Sequence, residues 1–287
     1  MTGADDPAGA AAPGRTGRFG EAAWYGLALA LVAAFVNTFE IWIWLQRQLP
    51  PWALTGVPFA LTAPLIAWVG WRLRAHAVLA RSWPWFAAAA AAAAVAFAIT
   101  DPAFPAKRAH IPEYMLLALV LRRGLAYHHA GAYLSVMSGI AAAVLGVHDE
   151  LLQGLHPTRY FGLADIVVNA ISAGAGACLG HGLATAADGD ARPRSAIGGV
   201  GVPGWAVAAA AIAGLALLVL VLLRMPGQPM PPWAALPVLA AVACWLLLEA
   251  GRGRAPGAGR AVTIVVWLSA AAILEPMIAN VTTLDFR

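Results

Sequence analysis

Nine stretches of this chain are dominated by apolar residues, at 24–45, 52–71, 83–100, 110–121, 130–147, 163–184, 203–223, 233–249 and 261–279. Short connections rich in Pro, Gly and Arg separate them. A helix needs about 20 apolar residues to cross the hydrocarbon core of a bilayer. Most of the nine approach that length, so the pattern predicts an all-α polytopic transmembrane bundle of about nine helices. The fourth stretch is short. It either draws on its polar flanks, with Arg122 and Arg123 reaching back to the interface, or forms a re-entrant segment. Ala87 to Ala94 are eight consecutive alanines, and Gly176 and Gly180 form a GxxxG pattern. Both are close-packing signals between helices. The glycine pattern serves packing within one chain or between copies, so a homo-oligomer is admitted. Residues 1–20, rich in Gly, Ala and Pro, read as a disordered tail. The Gly-rich stretch 187–202 reads as a flexible linker. The first apolar run starts at Trp24 and is full length, so it is expected to stay as an anchor rather than be cleaved.

Composition agrees with the pattern. The chain is 61% hydrophobic and 11% charged, where a soluble domain carries about 25% charged residues. Mean hydropathy is +0.73. Many of the 12 tryptophans lie near the ends of apolar runs, as an interfacial aromatic belt requires. A net charge of +4 spread over loops sets topology rather than a nucleic-acid surface, and nucleic acid is not an expected partner. With the N-terminus in the cytoplasm, twelve Lys and Arg residues fall on the inner side and six on the outer side. The positive-inside rule therefore predicts a cytoplasmic N-terminus and an outer C-terminus. Cys178 and Cys244 each sit inside an apolar run and read as buried thiols, not a disulfide or a metal knuckle.

The polar residues are not spread evenly. The segment 148–169 joins two apolar runs and carries the densest ionisable cluster between any two of them. Glu150 and Gln153 share one helix face by their spacing of three, and Asp165 and Asn169 share another by their spacing of four. Arg159 lies between them and is placed to form an ion pair with Asp165. The segment 101–114 falls on the same outer side. It holds Lys107 and Arg108, then His110, Glu113 and Tyr114 on the first turns of the fourth helix. Ionisable groups at membrane depth are costly and mark function or a complete structural network. Glu40 and Glu275, late in the first and ninth stretches, are expected to approach the outer interface, and His128 and His129 to lie solvated in an inner loop. His148, Asp149 and Glu150 copy the H-x-E of zinc deaminases, but the P-C-x-x-C partner is absent. No H-E-x-x-H occurs, and a metal set of His148, Glu150 and His156 is not expected. No P-loop, dinucleotide fingerprint or G-x-S-x-G occurs, so neither a nucleotide cofactor nor a soluble-type hydrolase is indicated.

The ordered set resembles the VanZ-like family of bacterial membrane proteins. Lys107-Arg108-Ala109-His110, Glu113, Tyr114, Leu116 and Leu117 are similar to the family's H-x-x-x-Y helix start. Asp149-Glu150-x-x-Gln153 followed by Arg159, Asp165 and Asn169 is similar to its D-E-x-x-Q…R…D…N signature. The resemblance covers residues 83–186 and implies a four-helix unit there. Two helices precede it in 21–82 and three follow it in 203–287. It implies a multi-pass protein of the bacterial inner membrane with a role linked to teicoplanin-type glycopeptides or another cell-envelope component. On that reading Glu150 is a general acid/base or a ligand for a polar head group. Gln153 and Asn169 orient, Arg159 and Lys107 contact an anion, and His110, Glu113, Tyr114, Asp149 and Asp165 complete the binding site. The expected partners are membrane lipids and a lipid-linked or peptidoglycan-related ligand. A non-enzymatic reading stands beside it, in which the same residues clamp helices in a scaffold or partner-binding subunit. A transporter would need a polar path, and the inner halves of the helices are nearly bare of charge.

Overall fold

A computed structural model describes residues 15–74, 81–156, 159, 161–188, 201–251 and 259–282. Every described element is helical: α1 (Arg15–Gln48), α2 (Pro51–Arg74), α3 (Trp83–Ile99), α4 (His110–Leu125), α5 (Gly131–Gly154), α6 (Leu163–Asp188), α7 (Gly201–Arg224), α8 (Leu236–Gly251), α9 (Arg260–Ala271) and α10 (Leu274–Val281). Two 3₁₀ turns, Pro105–Ala109 and Pro232–Ala235, lead into α4 and α8. In hydrocarbon each backbone N–H and C=O must be satisfied within its own segment, which leaves the helix as the solution for such apolar runs. Among the described residues, seven segments are long and apolar enough to cross a membrane. The sequence pattern predicts nine. The two below the length are α3, with 17 residues, and α4, with 16. The last stretch is one span by length, Arg260–Val281, but it is broken at Ala272 and Ile273. Pro276 lies four residues after Ala272, and its ring excludes the carbonyl that Ala272 would present in a continuous helix.

The bundle is arranged around α5. In its most apolar window 72% of residues are buried, against 6% for α2. So α5 is the axis and α2 lies at the edge. α4 and α6 flank α5, α3 packs on α6, α1 packs on α4 and α5, and α7, α8 and α9 form a second group joined to α5 through α9. The outer faces carry exposed Leu29, Trp44, Phe59, Ile66, Leu220, Leu247 and Trp267. Water would penalise such a surface, whereas lipid accepts it. One segment departs from expectation. α1 begins at Arg15, inside the stretch expected as a tail, because Glu21 is held to α9 by Arg260. The chain before residue 15 and most of the expected linker, 189–200, lie outside the described residues.

Small residues set how closely the central helices approach. The GxxxG pattern is spent inside the chain. A Cβ on Gly176 would stand 2.4 Å from the Met115 carbonyl oxygen of α4, and one on Gly180 would meet the Arg122 side chain at 2.7 Å. Gly174, two residues away, faces open space. Gly176→Ala should therefore destabilise the protein by about 1–3 kcal/mol, the usual cost of overpacking, despite the higher helix propensity of alanine. Gly174→Ala should be neutral or slightly stabilising. Thermal unfolding of the two variants in one detergent checks this, and equal melting temperatures would contradict the packing.

Candidate functional site

An α-helix turns about 100° per residue, so three consecutive side chains leave it in three directions. At the end of α5 these are His148, Asp149 and Glu150. His148 turns toward the last helices: its Nδ1 lies 2.6 Å from Glu275 Oε1 and its Nε2 2.9 Å from the Leu268 carbonyl. Asp149 turns toward α4 and accepts a hydrogen bond of 2.8 Å from the Tyr114 hydroxyl. Its Oδ2 is 3.9 Å from His110 Nδ1. Glu150 turns toward the start of α6, where the Gly162 N–H reaches its Oε2 at 3.4 Å. Tyr114, Asp149, Glu150 and Asn169 have no exposed surface. The Asn169 amide donates weakly to the Gly146 carbonyl at 3.5 Å. This approach needs glycine, since a Cβ on Gly146 would meet Asn169 at 2.9 Å and the Tyr114 ring at 3.1 Å.

Above this buried group lies a cavity of about 330 Å³. Phe35, Phe39, Trp42 and Phe104 make an aromatic wall, and Lys107, His110, Glu113, Gln153, Arg159 and Asp165 supply the polar lining. Glu113 is bridged from both sides, by the Thr38 hydroxyl at 3.2 Å and by His110 at 3.3 Å. Lys107 Nζ sits 2.7 Å from Asp165 Oδ2. Arg159 donates to the Val36 carbonyl at 2.8 Å and lies over the Phe39 ring at 4.9 Å from its centre. Burial pushes the Arg159 guanidinium down from its ordinary pKa, and the surrounding carboxylates oppose that shift. Several polar atoms have no protein partner: Glu150 Oε1, Asp149 Oδ1, Asn169 Oδ1 and Gln153 Nε2. Gln153 lies beside Asp149, but no well-aligned hydrogen bond joins them.

The structure thus brings together the two polar segments named from the sequence. Lys107, His110, Glu113, Gln153, Arg159 and Asp165 line one cavity, with Tyr114, Asp149, Glu150 and Asn169 packed behind it. One pairing differs from expectation. Asp165 is bridged by Lys107, while Arg159 is spent on α1. The sequence reading missed α1 as a wall of the site, because Thr38 and the aromatics at positions 35, 39 and 42 look like ordinary parts of an apolar span. Their spacing of three and four is the available signal, since it puts all of them on one face. Glu275 was missed as well. It is buried against His148 rather than reaching the interface, whereas Glu40 is exposed. With His148 turned to Glu275, it does not join Glu150, and among the described residues no three metal-ligating side chains converge.

A second polar group occupies the opposite end of the bundle. Glu21 pairs with Arg260 at 2.8 Å and with His128 at 3.0 Å. His129 is buried against the Tyr133 ring. These histidines are therefore packed, not solvated. No family model, curated protein or solved structure matches the chain. What defines it is its own architecture: an all-helical, multi-pass membrane protein with one polar cavity group at one end and an ion-paired cluster at the other.

Two outcomes follow from these contacts. Tyr114→Phe leaves the buried Asp149 without its donor and should cost about 1–3 kcal/mol, read as a lower melting temperature with the fold retained by circular dichroism. Burial, assisted by His128, lowers the His129 pKa from 6.5 to about 4. Between those values the unfolded chain binds the proton that the folded chain refuses, so stability falls as pH drops from 6.5 to 4 and then levels. Melting curves across that window should show the loss, and His129→Gln should reduce it; an unchanged profile would remove His129 as a cause.

Proposed function

We propose that this chain is a VanZ-like integral protein of the bacterial inner membrane, with its N-terminus in the cytoplasm. Its polar cavity opens on the outer face and recognises or acts on a cell-envelope component or a glycopeptide antibiotic. The observation that carries this reading is the cavity of about 330 Å³ that gathers Lys107, His110, Glu113, Gln153, Arg159 and Asp165, from two polar segments far apart in the chain, against an aromatic wall. Ionisable groups gathered around an open space in a membrane bundle mark a site. A clamp that only fastened helices would close its polar groups on one another and leave no such space. In this reading Glu150 is the acid/base or head-group ligand, Gln153 and Asn169 orient, and His110, Glu113, Tyr114, Asp149 and Asp165 shape and polarise the site. Lys107 and Arg159 hold its rim.

One observation favours the structural alternative, a scaffold or partner-binding subunit. Tyr114 with Asp149, and Lys107 with Asp165, satisfy each other across helices. The two readings separate in cells. Glu150→Gln keeps size and shape and removes the titratable carboxyl. On the proposed reading Glu150→Gln and Arg159→Ala lower the envelope phenotype at least ~10-fold at normal protein levels, the order of effect expected for losing one polar contact to a ligand. The phenotype is read as glycopeptide sensitivity together with a profile of lipid-linked and peptidoglycan intermediates. Activity that falls only in proportion to protein level would sink the proposal and favour the scaffold.

A further inference from the structure

A groove of about 560 Å³ lies between α1 and α9, away from the polar cavity. Among the described residues, these two helices each pack on α5 but not extensively on each other. The salt bridge between Glu21 and Arg260 joins them at one end. Beyond it a slot remains, floored by Leu121 of α4 and Leu145 of α5 and flanked by Leu29 of α1 and by Ile264 and Trp267 of α9. Leu29 is 58% exposed and Trp267 50%, so the slot opens sideways, where a membrane bundle meets lipid. Along α9, from Arg260 to Trp267, it runs about 10 Å at 1.5 Å per residue, the depth of part of an acyl chain. The head of the slot is polar. Arg260 gives its Nε to Glu21 at 2.8 Å, yet half of its side chain is exposed, and the guanidinium carries further N–H donors on its terminal nitrogens. Glu249, exposed near the end of α8, lines the same mouth. A Cβ on Gly259, the residue before Arg260, would stand 2.8 Å from Glu249 Oε1. A cation and a carboxylate therefore sit side by side above an apolar slot.

The mouth restricts which amphiphile fits. A fatty acyl chain without a headgroup leaves both charges unmatched. An anionic phospholipid suits Arg260 but brings its negative charge to Glu249. A headgroup with a phosphate and a primary ammonium sets an opposite charge against each, and the ammonium donates N–H bonds that a carboxylate accepts on either oxygen. We propose that this groove is a binding site for phosphatidylethanolamine. Its phosphate lies on Arg260, its ammonium on Glu249, and one acyl chain fills the slot against Leu29, Ile264 and Trp267. The lipid covers the gap that the fold leaves between α1 and α9. Its headgroup sits at the end of the bundle opposite the polar cavity, so the site is independent of the ligand proposed there.

The test uses the full-length protein in phosphatidylcholine nanodiscs. A rising fraction of lipid with brominated acyl chains, which quench tryptophan on contact, is added as phosphatidylethanolamine, phosphatidylglycerol or phosphatidylcholine. The difference between the wild-type protein and Trp267→Phe isolates the Trp267 signal. Half-quenching of Trp267 is expected at a mole fraction of phosphatidylethanolamine about threefold lower than for the other two lipids, the order of effect of one exposed ion pair. Glu249→Gln, at an exposed position, should erase that preference with the melting temperature in phosphatidylcholine unchanged. Arg260→Gln should weaken the quenching by phosphatidylethanolamine. Should it fold poorly for want of its contact with Glu21, Glu249→Gln carries the test alone. Equal quenching by the three lipids would mean bulk lipid only and overturn the site. A preference for phosphatidylglycerol, or a phosphatidylethanolamine preference that survives Glu249→Gln, would overturn the assignment of the headgroup.

Discussion

The carboxyl group of Asp149 has no exposed surface and sits at the end of the helix around which the bundle is built. Burying it is tolerable only if neighbouring helices bring it partners. Tyr114 brings a hydroxyl from α4 and His110 stands nearby on the same helix. These contacts fix the axial register of α4 against α5, and the rest follows from that register. Gly146 must lack a side chain so that Tyr114 and Asn169 fit on either side of it. Gly176 must lack one so that α6 can lie against the backbone of α4. With the three helices held this way, Glu113, Gln153 and Asp165 arrive at one place.

The 3₁₀ turn Pro105–Ala109 runs directly into α4, so Lys107 and the first turn of α4 reach the cavity together. α1 supplies most of the aromatic wall, and the end of α5 and the start of α6 supply Gln153 and Asp165. Fold and site are thus one feature: the cavity forms where these helices bring the chain's clustered polar side chains against aromatic ones.

Much of this was legible from residue order. The apolar runs mark the helices because hydrocarbon leaves no alternative for the backbone, and the rarity of charge in the chain made the clusters at 101–114 and 148–169 stand out. Their meeting in space follows from antiparallel neighbours joined by short connections. Three things were not legible. The pairing of Lys107 rather than Arg159 with Asp165 depends on where the 3₁₀ turn lays Lys107, which periodicity does not specify. The contribution of α1 rests on Thr38 and on a backbone carbonyl, Val36, neither of which differs in sequence from ordinary membrane-span chemistry. The partnership of His148 with Glu275 spans 127 positions and depends on the break before Pro276, which turns α10 back onto α5. The GxxxG pattern was visible, but whether it faced another helix of the same chain or a second copy depended on what α4 offered it.

The proposed function requires that the cavity lined by Phe104 and Gln153 open on the outer face, with the Glu21–His128–Arg260 cluster at the opposite end of the bundle. The most direct measurement is thiol labelling of intact cells by a membrane-impermeant maleimide, in a background with Cys178→Ala and Cys244→Ala. Phe104→Cys, at an exposed position of the cavity wall, should be labelled from outside without permeabilisation, and His128→Cys only after it. Labelling of Phe104→Cys solely in permeabilised cells, or of both positions from the same side, would contradict the account.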